Sequence, residues 1–124
     1  MSFTVIPKYG EAREINVWVW RPMVELIYDA KLVDDKKYKS LGFNDGTQID
    51  AVTAWKIGDL LAQTVEKMGP KDYLQLDLSI NQNPGRWGQV IETEQDMIDG
   101  YSVSRDWLRE FGEFSRDSGG FEVY

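Results

Sequence analysis

Any reaction chemistry in this chain has to come from carboxylates, tyrosines and lysines, because its 124 residues include no His and no Cys. Imidazole and thiol supply most general bases, nucleophiles and transition-metal ligands near neutral pH, so those routes lose their usual parts. Among the acids, Glu25, Asp45, Asp50 and Asp77 are the candidates for acid or base work. Glycoside hydrolysis in its usual form needs two carboxyls facing each other across a sugar, often beside a Trp platform, and nothing in the spacing of these four shows that two converge. Mg²⁺-dependent phosphoryl chemistry on Asp45 and Asp50 is a still weaker reading.

Two loops imitate ligand motifs and fail on register. In Asn44-Asp45-Gly46-Thr47-Gln48-Ile49-Asp50, oxygen ligands surround a turn-forming Gly. Setting Gly46 at the sixth position of a calcium loop places Leu41 first, Phe43 third and Val52 twelfth, where a bidentate Glu is required. The segment reads as a turn and a helix cap. Asn83-Pro84-Gly85-Arg86-Trp87-Gly88 lacks the Lys-Ser/Thr pair and glycine spacing of a phosphate loop. No catalytic, cofactor-binding or metal-ligating residue is assigned.

The residues suited to recognition are better supplied, with five Trp in the chain. Trp and Arg are enriched among binding hot spots, which makes Trp87 with Arg86 the first candidate for contact with a partner, against a Trp that folds back on the core. Trp55 follows, expected half-exposed at the border of a helical stripe. Arg21, between Trp20 and Pro22, is expected to stack on Trp18 or Trp20 or to pair with Glu25, or else to hold an anion at the start of a helix opening at Pro22. Asp45 adds an acidic loop candidate.

Charge bounds the partner. The chain has 21 acidic against 14 basic side chains, a formal charge of -7 and a pI near 4.5. That is the wrong sign for broad contact with phosphates, so nucleic acid is excluded, while a basic protein suits it; solubility alone also explains such a balance. No apolar run reaches membrane-spanning length, the first ten residues lack a signal-peptide core, and the absence of Cys fits a reducing compartment, so the expected location is cytoplasmic. One globular domain over residues 1–124 is expected, burying roughly two-thirds of its unfolded surface.

The elements that must position these residues follow from periodicity. Glu14 to Trp20 alternates as a strand, Phe3 to Ile6 is a weaker one, and a helix is expected from Pro22 to about Val33. Asp34 to Lys37 is a charged connection or the start of a short helix reaching Leu41, and Gly42 to Thr47 is a loop. Asp50 caps a long helix carrying Val52, Ile57, Leu60, Leu61, Val65 and Met68, stopped by Gly69-Pro70. Tyr73 to Ile80 alternates strictly as a strand, and Asn81 to Gly88 reads as a loop; Gln89 to Ile98 is ambiguous, with Val90 and Ile91 ending a strand or Val90, Ile91, Glu94 and Met97 beginning a helix, and reads first as irregular structure. Ser104 caps a last helix whose Trp107, Leu108, Phe111 and Phe114 form a buried stripe. After Gly119-Gly120, Phe121 to Tyr124 has strand character and is expected to pair with Ile15 to Trp20.

Val17-Trp18-Val19-Trp20-Arg21-Pro22, Glu25-Leu26-Ile27, Phe43-Asn44-Asp45-Gly46, Tyr101 to Leu108 and Ser118-Gly119-Gly120-Phe121 together resemble a set of small bacterial proteins of unassigned activity. Those proteins open with a Trp-x-Trp-Arg-Pro segment and close with an aromatic helix followed by Gly-Phe. The resemblance implies a bacterial cytosolic domain and carries over no catalytic residues.

The fold expected is α+β and helix-dominated, a small, mainly antiparallel sheet packed against about three helices. The function expected is a non-enzymatic acidic protein-binding domain of the immunity-protein kind. The alternatives are a small carboxylate-dependent hydrolase or sugar-binding module with a Trp-lined cleft, and a structural domain that forms homo-oligomers.

Overall fold

Alternation in the first strand organises the main sheet. Phe3, Val5 and Pro7 of β1 (Ser2–Pro7) are buried, while Ser2 and Ile6 are exposed. The computed structural model describes residues 2–43, 45–82 and 90–124. A turn through Gly10, whose φ of 102° suits a residue without Cβ, returns the chain as β2 (Arg13–Asn16), with Phe3 opposite Ile15 and Thr4 opposite Glu14.

The expected strand from Glu14 to Trp20 breaks at Asn16. Its side-chain oxygen accepts the Val19 N–H at 3.0 Å and caps α1 (Val17–Asp29), so the Val-Trp alternation continues as helix. Burial decides the matter: Trp20 is 1% exposed, stacks on Phe3 at 5.4 Å between ring centroids and donates its indole N–H to the Leu41 carbonyl at 2.9 Å. Pro22 therefore lies in the second turn of α1 rather than opening it, and its missing N–H leaves the Trp18 carbonyl without a helical donor.

α1 also ends before the apolar stripe does. Lys31 adopts φ 61° and donates to the Tyr28 carbonyl at 2.9 Å, while Leu32 donates to the Ile27 carbonyl at 3.2 Å, the pair of bonds that closes a helix through a left-handed residue. Asp34 then caps the short α2 (Asp35–Leu41). The expected loop ends in an unforeseen strand, β3 (Thr47–Ile49), before Asp50 accepts the Thr53 N–H at 2.7 Å and starts α3 (Ala51–Glu66).

The alternating segment from Tyr73 is a hairpin, not one strand. β4 (Tyr73–Gln75) gives way to a tight turn in which Gln75 and Ser79 bond through their backbones at 2.9 Å and Leu78 takes φ 68°; β5 (Ile80–Asn81) returns. Asp77 accepts the Ser79 N–H at 3.0 Å, the local bond that bends the chain despite its leucine periodicity. Of the alternatives for the ambiguous stretch, a helix forms, later than Val90 and Ile91: Thr93 and Asp96 make a capping box that opens α4 (Glu94–Gly100), and β6 (Ser102–Ser104) follows.

Ser104 caps α5 (Arg105–Asp117), which lies against α3 at close range. Gly58 and Gly112 permit the approach: a Cβ on Gly58 would stand 2.7 Å from the Gly112 carbonyl oxygen. The buried Ser115 hydroxyl is satisfied across this contact by the Ala54 carbonyl at 2.6 Å. Beyond α5, β7 (Phe121–Val123) slots between β1 and β3 instead of pairing with the Ile15–Trp20 region.

Two antiparallel sheets result among the described residues, ordered β2-β1-β7-β3 and β5-β4-β6, where one was expected. The architecture is α+β, with helix outweighing strand, 49% to 21%. Phe3, Trp20, Met23, Ile57, Leu61, Leu108 and Phe111 stand among the buried side chains that join the larger sheet to α1, α3 and α5. No helix among the described residues is long and apolar enough to cross a membrane.

Candidate functional site

α5 carries its side chains in three bands. Leu108, Phe111, Gly112 and Ser115 face inward against α3 and the sheet. Beside them, Trp107 and Phe114 are half-buried at the border, and beyond these Glu110, Glu113 and Asp117 are exposed. Spacings of three and four residues bring border rings and acids onto one side of a helix.

The turn between β1 and β2 stands opposite this side. Together they enclose a cleft of about 830 Å³, with Tyr9, Glu11, Arg13 and Glu14 on the sheet side and Trp107, Glu110, Glu113, Phe114 and Asp117 on the helix side. The floor is aromatic: Trp107 stacks on Phe111 at 5.1 Å, and Phe111 and Phe114 lie 5.3 Å apart. Its rim is acidic. Among the described residues the side chains of Glu11, Glu110, Glu113 and Asp117 form no hydrogen bond or ion pair, whereas Glu14 accepts from the Thr4 hydroxyl at 2.8 Å and the Ser2 hydroxyl at 3.2 Å.

One cation already sits there. The Arg13 guanidinium lies over the Phe114 ring at 4.6 Å, bridging from β2 to α5. The cleft thus combines a ring face that accepts a guanidinium with acids that have no internal counter-ion.

The residues singled out from sequence lie elsewhere or are engaged. Arg86 and Trp87 are outside the described residues. Trp55 is 51% exposed on α3, with the Arg116 guanidinium 5.5 Å from its ring. Arg21 stacks on Tyr101 at 4.9 Å instead of stacking on Trp18 or Trp20 or pairing with Glu25; Trp18 packs against the same Tyr101 at 4.6 Å. Because α1 begins at Val17, Arg21 lies a turn inside the helix and away from its positive end, which removes the basis for an anion site there. Asp45 accepts from the Ser40 hydroxyl at 2.7 Å and from Thr47 at 3.3 Å, holding the turn that leads into β3. Neither Arg21, Asp45 nor Trp55 lines the cleft.

The proposed catalytic acids are likewise tied into local structure. Glu25 accepts the Tyr38 hydroxyl, Asp77 accepts the Ser79 N–H and hydroxyl, and Asp50, bonded to Thr53 as the cap of α3, is held below the ordinary carboxylate range by that bond. Glu25 and Asp77 do share a second cleft, of about 610 Å³, with Tyr28, Asp29, Lys31 and Asp35. No group of three or more acids placed to hold a metal ion occurs among the described residues.

α5 reads first as a core helix, which hides the cleft residues in the sequence. Their signal is the pair of rings that Trp107 and Phe114 add on one side of the buried Leu108, Phe111, Gly112 and Ser115, where both stay half-buried. The acids at Glu110, Glu113 and Asp117 mark the same side. Comparison with family models, curated proteins and solved structures finds no match to this chain.

Proposed function

We propose that this protein is a non-enzymatic binding domain whose cleft between the β1–β2 turn and α5 takes a basic segment of another protein. The observation that carries the reading is an aromatic floor rimmed by Glu11, Glu110, Glu113 and Asp117, four exposed acids without internal partners among the described residues. Rings of this kind contribute contact area and cation stacking, and uncompensated acids supply electrostatic attraction and specificity. The formal charge of -7 acts in the same direction at longer range. Bacterial immunity proteins, which neutralise toxins by covering them, are the functional type that fits, with the cytoplasm as the compartment.

The same cleft bears on the hydrolase alternative, since it sets several carboxyls beside aromatic rings. A general acid needs an environment that keeps it protonated near neutral pH, commonly burial against apolar groups. Every carboxylate lining this cleft is exposed, which favours binding over acid catalysis.

The test uses a defined cation. A hexapeptide of alternating Arg and Val, titrated while Trp fluorescence is followed, should bind saturably and more weakly as salt rises. The Glu110→Lys/Glu113→Lys double variant should lose about tenfold or more in affinity, as expected when two attractive contacts become repulsive. Affinity unchanged by the double variant refutes the reading.

A further inference from the structure

We infer that the partner is recognised by strand addition: a basic segment docks in extended form along the open edge of β2, continuing the β2-β1-β7-β3 sheet into the cleft. This rests on the cleft being the docking site.

The backbone pattern determines which groups are free. Thr4 donates its N–H to the Tyr124 carbonyl at 2.7 Å and receives the Tyr124 N–H at 2.8 Å, so its backbone faces away from β2. In an antiparallel ladder, opposed residues alternate between pairs that exchange hydrogen bonds and pairs whose groups point outward. Thr4 is opposite Glu14, which makes theirs an outward pair and directs the Glu14 N–H and C=O away from β1. Lys8, four residues along β1's alternation, donates to the Gly120 carbonyl at 2.9 Å and confirms the phase. Among the described residues no turn, loop or cap hydrogen bond takes the Glu14 backbone groups.

The cleft follows that edge. Arg13, Glu14 and Ile15 are consecutive, and their side chains alternate between the sheet's faces, yet all three line it. A cavity against one face would touch alternate residues; one touching every residue runs along the backbone. β2 stands at the end of the sheet order, where an added strand finds unused donors and acceptors.

Charge selects the occupant. An added strand projects alternate side chains toward Glu110, Glu113 and Asp117, so Lys or Arg at every second position is matched by an acid. A second copy of this chain is disfavoured, because two-fold antiparallel pairing of the edge centred on Glu14 sets that carboxylate against its own copy.

The decisive probes are two N-methylated versions of the Arg-Val hexapeptide, one blocked at the Arg amides and one at the Val amides. Only alternate amides of an added strand face the edge, so one version should bind at least about tenfold more weakly than the other, the loss expected for hydrogen bonds of about 1 kcal/mol each. Equal behaviour of the two, whether both bind or both fail, overturns strand addition. Glu14→Pro removes the outward N–H without touching the β1 ladder and should weaken the unmodified peptide well beyond Glu14→Ala, which keeps that N–H and removes only a carboxylate already engaged by the Thr4 and Ser2 hydroxyls; equal losses in the two variants overturn the inference. Should the proline variant not fold, protection of the Glu14 amide from hydrogen exchange on adding peptide to the native protein gives the same answer, and an unprotected amide overturns the inference. A concentration-dependent dimer abolished by Glu14→Pro would assign the edge to a second copy and overturn it as well. Loss of binding in Glu110→Lys/Glu113→Lys together with equal methylation effects removes strand addition alone; intact binding in that variant removes the cleft reading beneath it.

Discussion

The cleft between the β1–β2 turn and α5 and the cleft beside α1 and α2 are both acidic, but three of the four acids lining the second, Glu25, Asp35 and Asp77, are held by internal donors. In the second, Asp35 accepts the Tyr28 hydroxyl at 2.5 Å, Glu25 accepts the Tyr38 hydroxyl, and the two tyrosine rings stack at 4.0 Å. Those bonds raise both phenols, Tyr38 to about 12 chiefly through Glu25 and secondarily through burial. The first cleft leaves most of its acids open to solvent. Net charge therefore says little about function until it is known which carboxylates the fold already uses. An acid held by a phenol joins two elements, while an acid without a partner is available to something outside.

This contrast predicts separable consequences. The largest should come from the scaffold of the first cleft: Gly58→Ala forces α3 away from α5, since its Cβ would stand 2.7 Å from the Gly112 carbonyl, and should cost about 1–3 kcal/mol in denaturant unfolding. Peptide affinity should fall with it, while the alkaline titration of Tyr38, set by α1 and α2, should stay where it is. The double charge reversal at Glu110 and Glu113 should do the opposite, abolishing most peptide binding while changing stability by no more than about 0.5 kcal/mol in the same unfolding assay. A large loss of stability would mean that these acids are structural after all.

In the second cleft, Glu25→Gln should bring the Tyr38 phenol down from about 12 toward the ordinary tyrosine value, read by ultraviolet absorbance during an alkaline titration, without altering peptide binding. The native phenol ionises above its unfolded value of about 10, so its contribution to stability is complete below that pH and disappears as pH rises through about 12. In Glu25→Gln that alkaline loss should shrink. The smallest effect concerns the turn bordering the same cleft. Lys31→Gly relieves a left-handed conformation at the end of α1 and should raise stability by about 0.5–1 kcal/mol, after allowance for the freer unfolded chain. Destabilisation would show that the Lys31 side chain contributes more than the strain costs.

Helices closed by local bonds were readable in advance. Asp50 and Ser104 begin α3 and α5 as their side chains suggest, because an N-cap operates within three residues. Where two local signals compete, periodicity misled. Asn16 caps a helix that the Val-Trp alternation disguises as strand, and the Asp77–Ser79 bond folds an alternating run into a hairpin. Short strands such as β3 and β6 are defined by their distant partners, β7 and β4, and three residues carry almost no period of their own. The candidate site failed for a related reason. Arg21 and Asp45 looked available because Tyr101, Ser40 and Thr47 could not be placed next to them. Trp107 and Phe114 read wholly as core because the helix sequence gives no sign of where its neighbours stop. No separate signal marked the facing β1–β2 turn as the other wall.

The position of β7 also governs how the chain can fold as it is made. Phe121–Val123 leaves the ribosome after every other described element, yet it lies between β1 and β3 and donates or accepts on both sides. Until it arrives, β1 has β2 alone, β3 has no neighbour in its sheet, and Phe3 and Val5 lack part of their cover. The order of the chain therefore lets α3 form before the sheet can, and closure of the sheet is a late, non-local event. Until β7 arrives, the facing edges of β1 and β3 lack the strand that joins them, a gap of one strand's width that an extended chain from elsewhere could enter.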